Sequence, residues 1–342
     1  MKYLLAYSIP FFGVLGISFQ GVWSYTAFYY AFILIPILEY FLPIDASNYS
    51  ENEKESRLEN KLYNVLLYLN VPIVFGCLYF SFALVKTKDL SHFELIGIIL
   101  SLGIILGSNG INVAHELGHR KQLFERILGK LLLIPSHYTH FFIEHNHGHH
   151  IHVSTPKDSS TAKYNQTLYA FWIQTVIGTY REAWKIQNRL NRIENRALFS
   201  IKNDMLWFTI LQFSYLVIVF LLFGLKVLIM AILSGVVGFL LLETINYIEH
   251  YGLKRQLLPS GRFERVSEKH SWNSNHVLGR IILYELTRHS DHHYKSNKQY
   301  QILEYHAVSP QLPLGYPASM VISFIPPLWF ALMNNRIPHE MK

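Results

Sequence analysis

Long apolar runs alternate with two long polar segments along this chain of 342 residues. A membrane-spanning helix needs roughly 20 mostly apolar residues, and six runs approach or exceed that length. They lie at about residues 3–19, 22–42, 62–85, 92–113, 205–223 and 227–247. The pattern predicts an all-α membrane protein with six transmembrane helices, forming a single domain over residues 1–342.

The distribution of basic residues predicts the orientation. Residues 114–204 and 248–342 carry 12 and 11 of the chain's 30 Lys and Arg residues, whereas the opposite loops carry only Lys86, Lys88 and Lys226. Basic residues collect on the cytoplasmic side of membrane proteins, so we expect both polar segments to be cytoplasmic. Two spans separate the segments, which therefore lie on the same side of the membrane.

The composition also indicates a membrane protein. Hydrophobic residues make up 51% of the chain and charged residues only 15%, whereas soluble domains carry about a quarter charged residues. We attribute the net charge of +7 to the basic membrane face, so no nucleic acid partner is expected. Cys77 is the only cysteine, which excludes an intrachain disulfide and a four-cysteine iron–sulfur centre. Electrons for a redox reaction would have to come from another protein.

Nine histidines lie in four groups with spacings typical of metal ligands. Three pairs are four residues apart, and residues at this spacing share one face of a helix. The nine are His115, His119, His145, His149, His150, His250, His289, His292 and His293. We predict a metal centre at the cytoplasmic surface of the membrane. His147 falls between two of these histidines and is expected on the opposite helix face.

One group also matches the HExxH motif of zinc proteases, in which Glu116 would be the general base between His115 and His119. A single tetrahedral zinc ion needs few further ligands and would leave most of the other seven histidines without a role. Two ions of higher coordination number could use all nine, and imidazole suits iron as well as zinc. The ligand count favours two ions, and a zinc metalloprotease remains an alternative.

A carboxylate lies beside the histidines in each group. Metal-bound histidines usually donate their second ring N–H to a carboxylate or a carbonyl. We expect this role, or for one of them a role as ligand, from Glu116, Glu144, Glu249 and Asp291.

The sequence around the histidines resembles the bacterial alkane 1-monooxygenases, within the membrane di-iron superfamily of desaturases and hydroxylases. The segment Asn246-Tyr-Ile-Glu-His-Tyr-Gly-Leu253 is the most discriminating, because desaturases carry only the other three histidine groups. The likeness extends over most of the chain. It is also carried by Asn112–Arg120, Phe141–His150, Ser271–His276, Arg288–His293 and Gly315-Tyr-Pro317, and it is weaker at Lys157-Asp-Ser-Ser160 and Tyr294–Asn297.

The resemblance implies a non-haem di-iron centre of two Fe ions held by the nine histidines. It implies terminal hydroxylation of medium- to long-chain n-alkanes to 1-alkanols with O2 as co-substrate. It further implies a separate rubredoxin with an NAD(P)H-dependent reductase, and a place in the bacterial inner membrane with the active site toward the cytoplasm. A fatty-acyl desaturase or hydroxylase of the same superfamily is the alternative function.

An alkane has no polar group, so the shape of an apolar tunnel would have to select it. Leu242, Ile245 and Asn246 lie on or beside the face of the sixth helix that bears His250. Ala31 in the second helix falls near the point where the resemblance places the end of the tunnel. These four residues are the predicted tunnel wall, and packing or lipid contact is the alternative role for them.

The basic surface around Arg120, Lys121, Lys254 and Arg255 is a candidate docking site for an acidic rubredoxin, because complementary charge steers association. Contact with lipid headgroups would explain the same charges. The sequence does not distinguish these two partners.

Overall fold

The computed structural model describes residues 2–341, which form helices and loops with no β-sheet beyond isolated bridges. Within the described residues, six helices are long and apolar enough to cross a membrane. In chain order these first to sixth spans are Lys2–Phe19, Gly21–Phe41, Leu62–Thr87, His92–Gly118, Asp204–Phe223 and Leu225–His250. The all-α prediction with six spans is confirmed, and the chain is a multi-pass membrane protein.

Two spans extend beyond their apolar runs. The fourth span ends at Gly118 and the sixth at His250, whereas the apolar pattern ended them at residues 113 and 247. Backbone hydrogen bonding continues a helix after its side chains become polar. His115 and His250 are therefore held in helical turns at the ends of membrane-crossing helices.

The second and fourth spans each contain a π-helical turn, at Tyr30–Leu34 and Leu106–Ile111. Such turns often mark functional sites. In the fourth span, the side-chain amide of Asn109 donates to the Ala6 carbonyl at 3.0 Å and to Asn70 Oδ1 at 2.8 Å. These bonds satisfy a polar side chain that is buried among apolar helices.

The remaining elements are mostly short. The α-helices are Glu51–Glu59, Leu123–Leu133, Phe141–Glu144, His150–His152, Leu168–Ile193, Val277–Ile282, His289–Tyr294, Tyr316–Ser323 and Pro326–Met333; His145–His149 is a π-helical turn, and Tyr300–Ile302 and His339–Met341 are 3₁₀ turns. The apolar pattern did not predict the 26-residue helix Leu168–Ile193, because charged residues interrupt the second half of that helix.

The chain divides into two compact units. The first comprises the chain up to Ile35, Lys61–Phe142 and Gln187–Leu242, and the second comprises Pro36–Asn60, Ile143–Ile186 and the chain from Glu243 onward. The first unit consists mainly of the spans. The second holds all the predicted metal ligands except His115 and His119.

The second unit has a polar core. The buried Arg288 guanidinium donates to the Ser47 and Leu303 carbonyls, each at 2.7 Å. Arg280 pairs with Glu285 at 2.7 Å. These bonds fix the segment that leads into the helix His289–Tyr294, so the histidines of that helix lie on a rigid support.

In the first unit, spans approach closely at Gly103. A Cβ atom added there would lie 2.3 Å from Cγ1 of Val237, which is well inside van der Waals contact. Small residues of this kind let membrane helices pack backbone against backbone. Gly76 offers a contrast, because it lies in the third span with no atom within 4 Å of an added Cβ.

We expect Gly103→Ala to destabilise the protein by about 1–3 kcal/mol, the typical effect of overpacking, and Gly76→Ala to be neutral or slightly stabilising. Both changes replace glycine by alanine within a span, so intrinsic helix propensity cancels in the comparison. The measurement is the temperature at which detergent-solubilised protein loses its monodisperse gel-filtration peak. Equal temperatures for the two variants would show that the contact at Val237 does not constrain packing.

Candidate metal centre

The nine histidines singled out from the sequence lie at four places in the fold. His115 lies in the last turns of the fourth span, His119 follows its end, and His250 ends the sixth span. The others lie in the turn His145–His149 and the residue after it, and in the helix His289–Tyr294. All nine are buried or partly buried, whereas the intervening His147 is exposed as predicted.

Four histidines of the second unit form one group. Their ring nitrogens lie within 4.8 Å of one another; they are His149, His250, His289 and His293. Nε2 of His289 lies 2.9 Å from Nε2 of His293 and 3.2 Å from Nε2 of His250. Two nitrogens bound at about 2.1 Å to one ion lie roughly 3.0–3.4 Å apart at octahedral or tetrahedral angles. The measured separations suit a single metal ion.

His149 shows most directly that the group fits a cation. Its Nδ1 is hydrogen-bonded to Asp158 Oδ2 at 3.0 Å, which favours the tautomer with the proton on Nδ1. Its Nε2 is buried and has no hydrogen-bond partner within residues 2–341. A buried acceptor without a donor is costly, and a metal ion would take up its lone pair.

The protonation states also suit metal binding. Burial, together with the neighbouring imidazoles, lowers the pKa of His293 well below its usual range. Burial raises the pKa of Asp158, but the adjacent His149 and the hydrogen bonds to this carboxylate outweigh it, so that its pKa is lowered. A neutral imidazole and an ionised partner carboxylate are the states that metal coordination requires.

Three further histidines of the second unit repeat the same spacing. Nε2 of His150 lies 2.9 Å from Nε2 of His145 and 3.2 Å from Nε2 of His292. In the first unit, the rings of His115 and His119 have centroids 5.1 Å apart and are nearly perpendicular. Their shared face follows from the i,i+4 spacing.

Glu249 approaches the four-histidine group. Its Oε2 lies 3.1 Å from Nε2 of His289, and its Oε1 accepts a hydrogen bond of 2.8 Å from the Tyr316 hydroxyl. Nε2 of His289 is also the atom that faces His250 and His293. Glu249 therefore lies on the side of the ring where an ion would bind.

Asp291 has a different set of partners. Lys298 Nζ and the Glu304 backbone N–H donate to its Oδ2 at 2.7 and 2.8 Å, and His306 Nε2 lies 2.8 Å from its Oδ1. These contacts brace the helix His289–Tyr294 rather than orient one of its imidazole rings.

Glu116 forms a buried ion pair of 2.8 Å with Arg120, one helical turn later. This contact neutralises a charge at the end of the fourth span. The carboxylate within the HExxH string is thus engaged by a guanidinium rather than free to activate a water molecule.

Glu144 is buried beside His145. Burial, and then the nearby carboxylates of Asp158 and Glu243, raise the pKa of Glu144 well above its usual range. Its carboxyl group packs against Gly148, where an added Cβ would lie 2.9 Å from Oε1. An alanine at this position would therefore displace the Glu144 carboxyl group.

Two contacts of the site were not assigned from the sequence. Asp158 lies in the segment that departs from the resemblance, and Tyr316 lies in the shared Gly315-Tyr-Pro317 motif. Thr161 Oγ1 donates to Asp158 Oδ2 at 2.6 Å, and the Ser160 N–H donates to Oδ1 at 3.0 Å. The sequence offers a weak signal for Asp158, namely a carboxylate soon after the histidines and followed by hydroxyl residues.

The four predicted tunnel residues, Ala31, Leu242, Ile245 and Asn246, are all buried. Their side chains are therefore packed inside the protein rather than exposed on its surface. The side-chain amide of Asn246 donates to Glu243 Oε2 at 3.0 Å, and Thr175 Oγ1 donates to the same oxygen at 2.7 Å. Asn246 thus belongs to a buried polar network, whereas the other three offer apolar surface.

The four basic residues of the predicted docking surface differ in exposure. Arg120 is buried in its pair with Glu116, and the Arg255 guanidinium donates to the Ile151 and Glu264 carbonyls. Lys121 and Lys254 are exposed. Of the four basic residues, the two lysines are therefore the exposed ones.

Comparison of the sequence with known proteins identifies the family to which this chain belongs. The sequence model of the family described as fatty acid desaturase matches residues 91–322. Alkane 1-monooxygenase 1 of Alcanivorax borkumensis is 39% identical over 305 residues, which cover 89% of this chain and 75% of the relative. Alkane 1-monooxygenase 2 of Pseudomonas aeruginosa is 36% identical over 338 residues, covering 98% and 89%. The chain therefore belongs to the fatty acid desaturase family and, within it, to the alkane 1-monooxygenases.

Proposed function

We propose that this protein hydroxylates the terminal carbon of medium- to long-chain n-alkanes, with O2 as co-substrate and 1-alkanols as products. The observation that carries the proposal is a buried group of four imidazoles, spaced as ligands of one ion, in a chain 39% identical to an alkane 1-monooxygenase. The whole chain would act as a single hydroxylase domain.

We propose two iron ions as the cofactor. Their ligands would be His115, His119, His145, His149, His150, His250, His289, His292 and His293. When bound, the irons would activate O2 for insertion into a C–H bond. Of the four carboxylates, Glu249 is the best candidate for an additional ligand, because it approaches the Nε2 side of His289.

The protein's own residues would orient the ligands and exclude water. Asp158 holds the ring of His149 through Nδ1, and the Tyr316 hydroxyl holds Glu249. The four-histidine group is fully buried, which limits the access of bulk water to the reaction. Ala31, Leu242 and Ile245 would line the path of the alkyl chain. Because one methylene changes binding by only about 1–3 kcal/mol, we expect a broad range of chain lengths.

We further propose a place in the bacterial inner membrane, with the site toward the cytoplasm, where most of the basic residues lie. A separate rubredoxin, reduced by its NAD(P)H-dependent reductase, would supply electrons. Lys121 and Lys254 are the exposed cations that would attract it.

A fatty-acyl desaturase or hydroxylase is the second candidate, because the family model that matches is described by that activity. A zinc protease is disfavoured by the ion pair that holds Glu116. Product analysis by gas chromatography, with octane, hexadecane and a fatty acyl substrate, separates the first two functions. Zinc rather than iron in the purified protein, with no alcohol formed, would refute the proposal.

We expect His293→Ala to lose bound iron and alkanol formation together, since it removes one of the four imidazoles of the four-histidine group. His147→Ala is the matched control: the residue is exposed in the segment that carries other histidines, and both quantities should persist. Asp158→Asn should be intermediate, with about 10–100-fold weaker metal binding. Iron per chain is measured by inductively coupled plasma mass spectrometry. Full iron content in His293→Ala would remove this residue from the ligand set.

We expect Ala31→Trp to shorten the longest alkane hydroxylated, because a bulky side chain at this buried position would block the far end of the tunnel. Ile33→Trp is the control, since Ile33 is exposed on the same span. Alkanol yields from octane to hexadecane are compared, and iron content reports on folding. An unchanged chain-length range in an iron-loaded Ala31→Trp protein would place the tunnel elsewhere.

We expect the KM for reduced rubredoxin to rise with salt, because charges more than about 10 Å apart are screened at 0.1 M ionic strength. Lys121→Glu and Lys254→Glu should raise this KM at low salt. Lys226→Glu, an exposed lysine between the fifth and sixth spans, should not. Steady-state kinetics measure the three variants, and an equal effect from Lys226 would argue against a local docking site.

A further inference from the structure

An apolar surface lies outside the six spans, in the second unit. The first half of the helix Leu168–Ile193 buries one face, with Leu168 and Phe171 fully enclosed. Its opposite face is also apolar and is exposed, through Tyr169, Ile173, Ile177 and Tyr180. Residues at this spacing form one continuous stripe. A helix that is apolar on both faces belongs in a protein core or in lipid.

The stripe continues onto a second segment. Tyr169 donates a hydrogen bond of 2.8 Å to the Phe324 carbonyl, and the Phe324 ring packs edge-on against Trp172 with centroids 5.5 Å apart. The exposed apolar side chains of this segment are Val321, Phe324, Ile325 and Leu328. We call the two sets together the apolar surface. Contiguous exposed apolar patches on a protein mark contacts with partners or membranes.

The apolar surface is attached to the end of a membrane-crossing helix. The Trp172 indole donates to Thr244 Oγ1 at 3.2 Å, and Phe171 packs against Tyr247 with ring centroids 5.5 Å apart. Thr244 and Tyr247 lie in the last turns of the sixth span. The surface therefore lies beside the end of that span.

The charges on the same helix fit a lipid surface. Past Tyr180, its exposed positions become basic, at Arg181, Lys185, Arg189 and Arg192. Aromatic and basic residues that flank apolar ones are typical of helices lying in the membrane interface. An anionic bilayer surface attracts such basic positions.

We propose that the bilayer covers the apolar surface. Residues 169–180 and 321–328 would enter the membrane interface beside the end of the sixth span, without crossing the bilayer. Thr244 is six residues before His250, about 9 Å along a helix. The membrane contact would thus bring the hydrocarbon phase close to the metal centre. That consequence for an alkane substrate rests on the proposed function, whereas the contact itself does not.

The test uses the full chain in nanodiscs of phosphatidylcholine and phosphatidylglycerol. In a Cys77→Ser background, single nitroxide labels are placed through Ile173→Cys, Ile177→Cys and Leu328→Cys. Matched controls are Ile151→Cys and Leu257→Cys, which replace exposed apolar residues of the same unit. Power-saturation electron paramagnetic resonance compares the access of lipid-soluble O2 with that of a water-soluble nickel chelate.

We expect the three surface labels to favour O2 and to lie about 5–10 Å into the interface, while the two controls favour the nickel chelate. Unlabelled wild-type protein provides a second measurement: a diazirine reagent carried in the lipid should modify the peptides containing residues 169–180 and 321–328. Access of the nickel chelate to all labels would overturn the proposal. Protection of the surface labels from both reagents would also overturn it, because a second protein copy would then cover the surface. None of these measurements depends on turnover, so a negative result for the membrane contact is distinguishable from a negative result for the proposed activity.

Discussion

The short distances between imidazole nitrogens inside the second unit constrain the side chains that surround these rings. Neighbouring Nε2 atoms lie 2.9–3.2 Å apart in both groups of histidines. Rings at this distance place lone pairs face to face, and their own N–H groups cannot satisfy all of them. A cation between the rings resolves this conflict. Partners such as Asp158 on Nδ1 of His149 then set which nitrogen faces inward.

Such a group requires surrounding residues that hold the imidazole rings in fixed positions. The short helix His289–Tyr294 is braced through Asp291 by Lys298, Glu304 and His306. Glu304 is in turn paired with Lys54 of the helix Glu51–Glu59. This network is anchored on the buried carboxylate of Asp291 and is otherwise partly buried, and such networks are stable when every member is satisfied. The polar core of the second unit therefore positions the histidines and keeps them apart from water.

Features that depend on residues close together in the chain were predicted from the sequence. Six apolar runs predicted six spans, and seven of the nine histidines identified by their spacing lie in the second unit. The apolar runs ended at residues 113 and 247, and the spacing of the histidines placed His115 and His250 in helical turns beyond them, in agreement with spans that end at Gly118 and His250. Sequence patterns failed for one long helix. The helix Leu168–Ile193 escaped prediction because its apolar half is too short to span a membrane and its second half is charged.

The sequence by itself determined the helical class, the membrane character and which histidines to consider, because periodicity and composition are local properties of the chain. Only the tertiary structure decided how the carboxylates divide their tasks: Glu249 approaches the ring nitrogens, Asp291 braces a helix, and Glu116 pairs with Arg120. It also brought in Asp158 and Tyr316, whose roles depend on partners 9 and 67 residues away. The contact of Tyr316 arises from packing between distant segments, which no local pattern encodes, and the local signal for Asp158 is too weak to assign its partner.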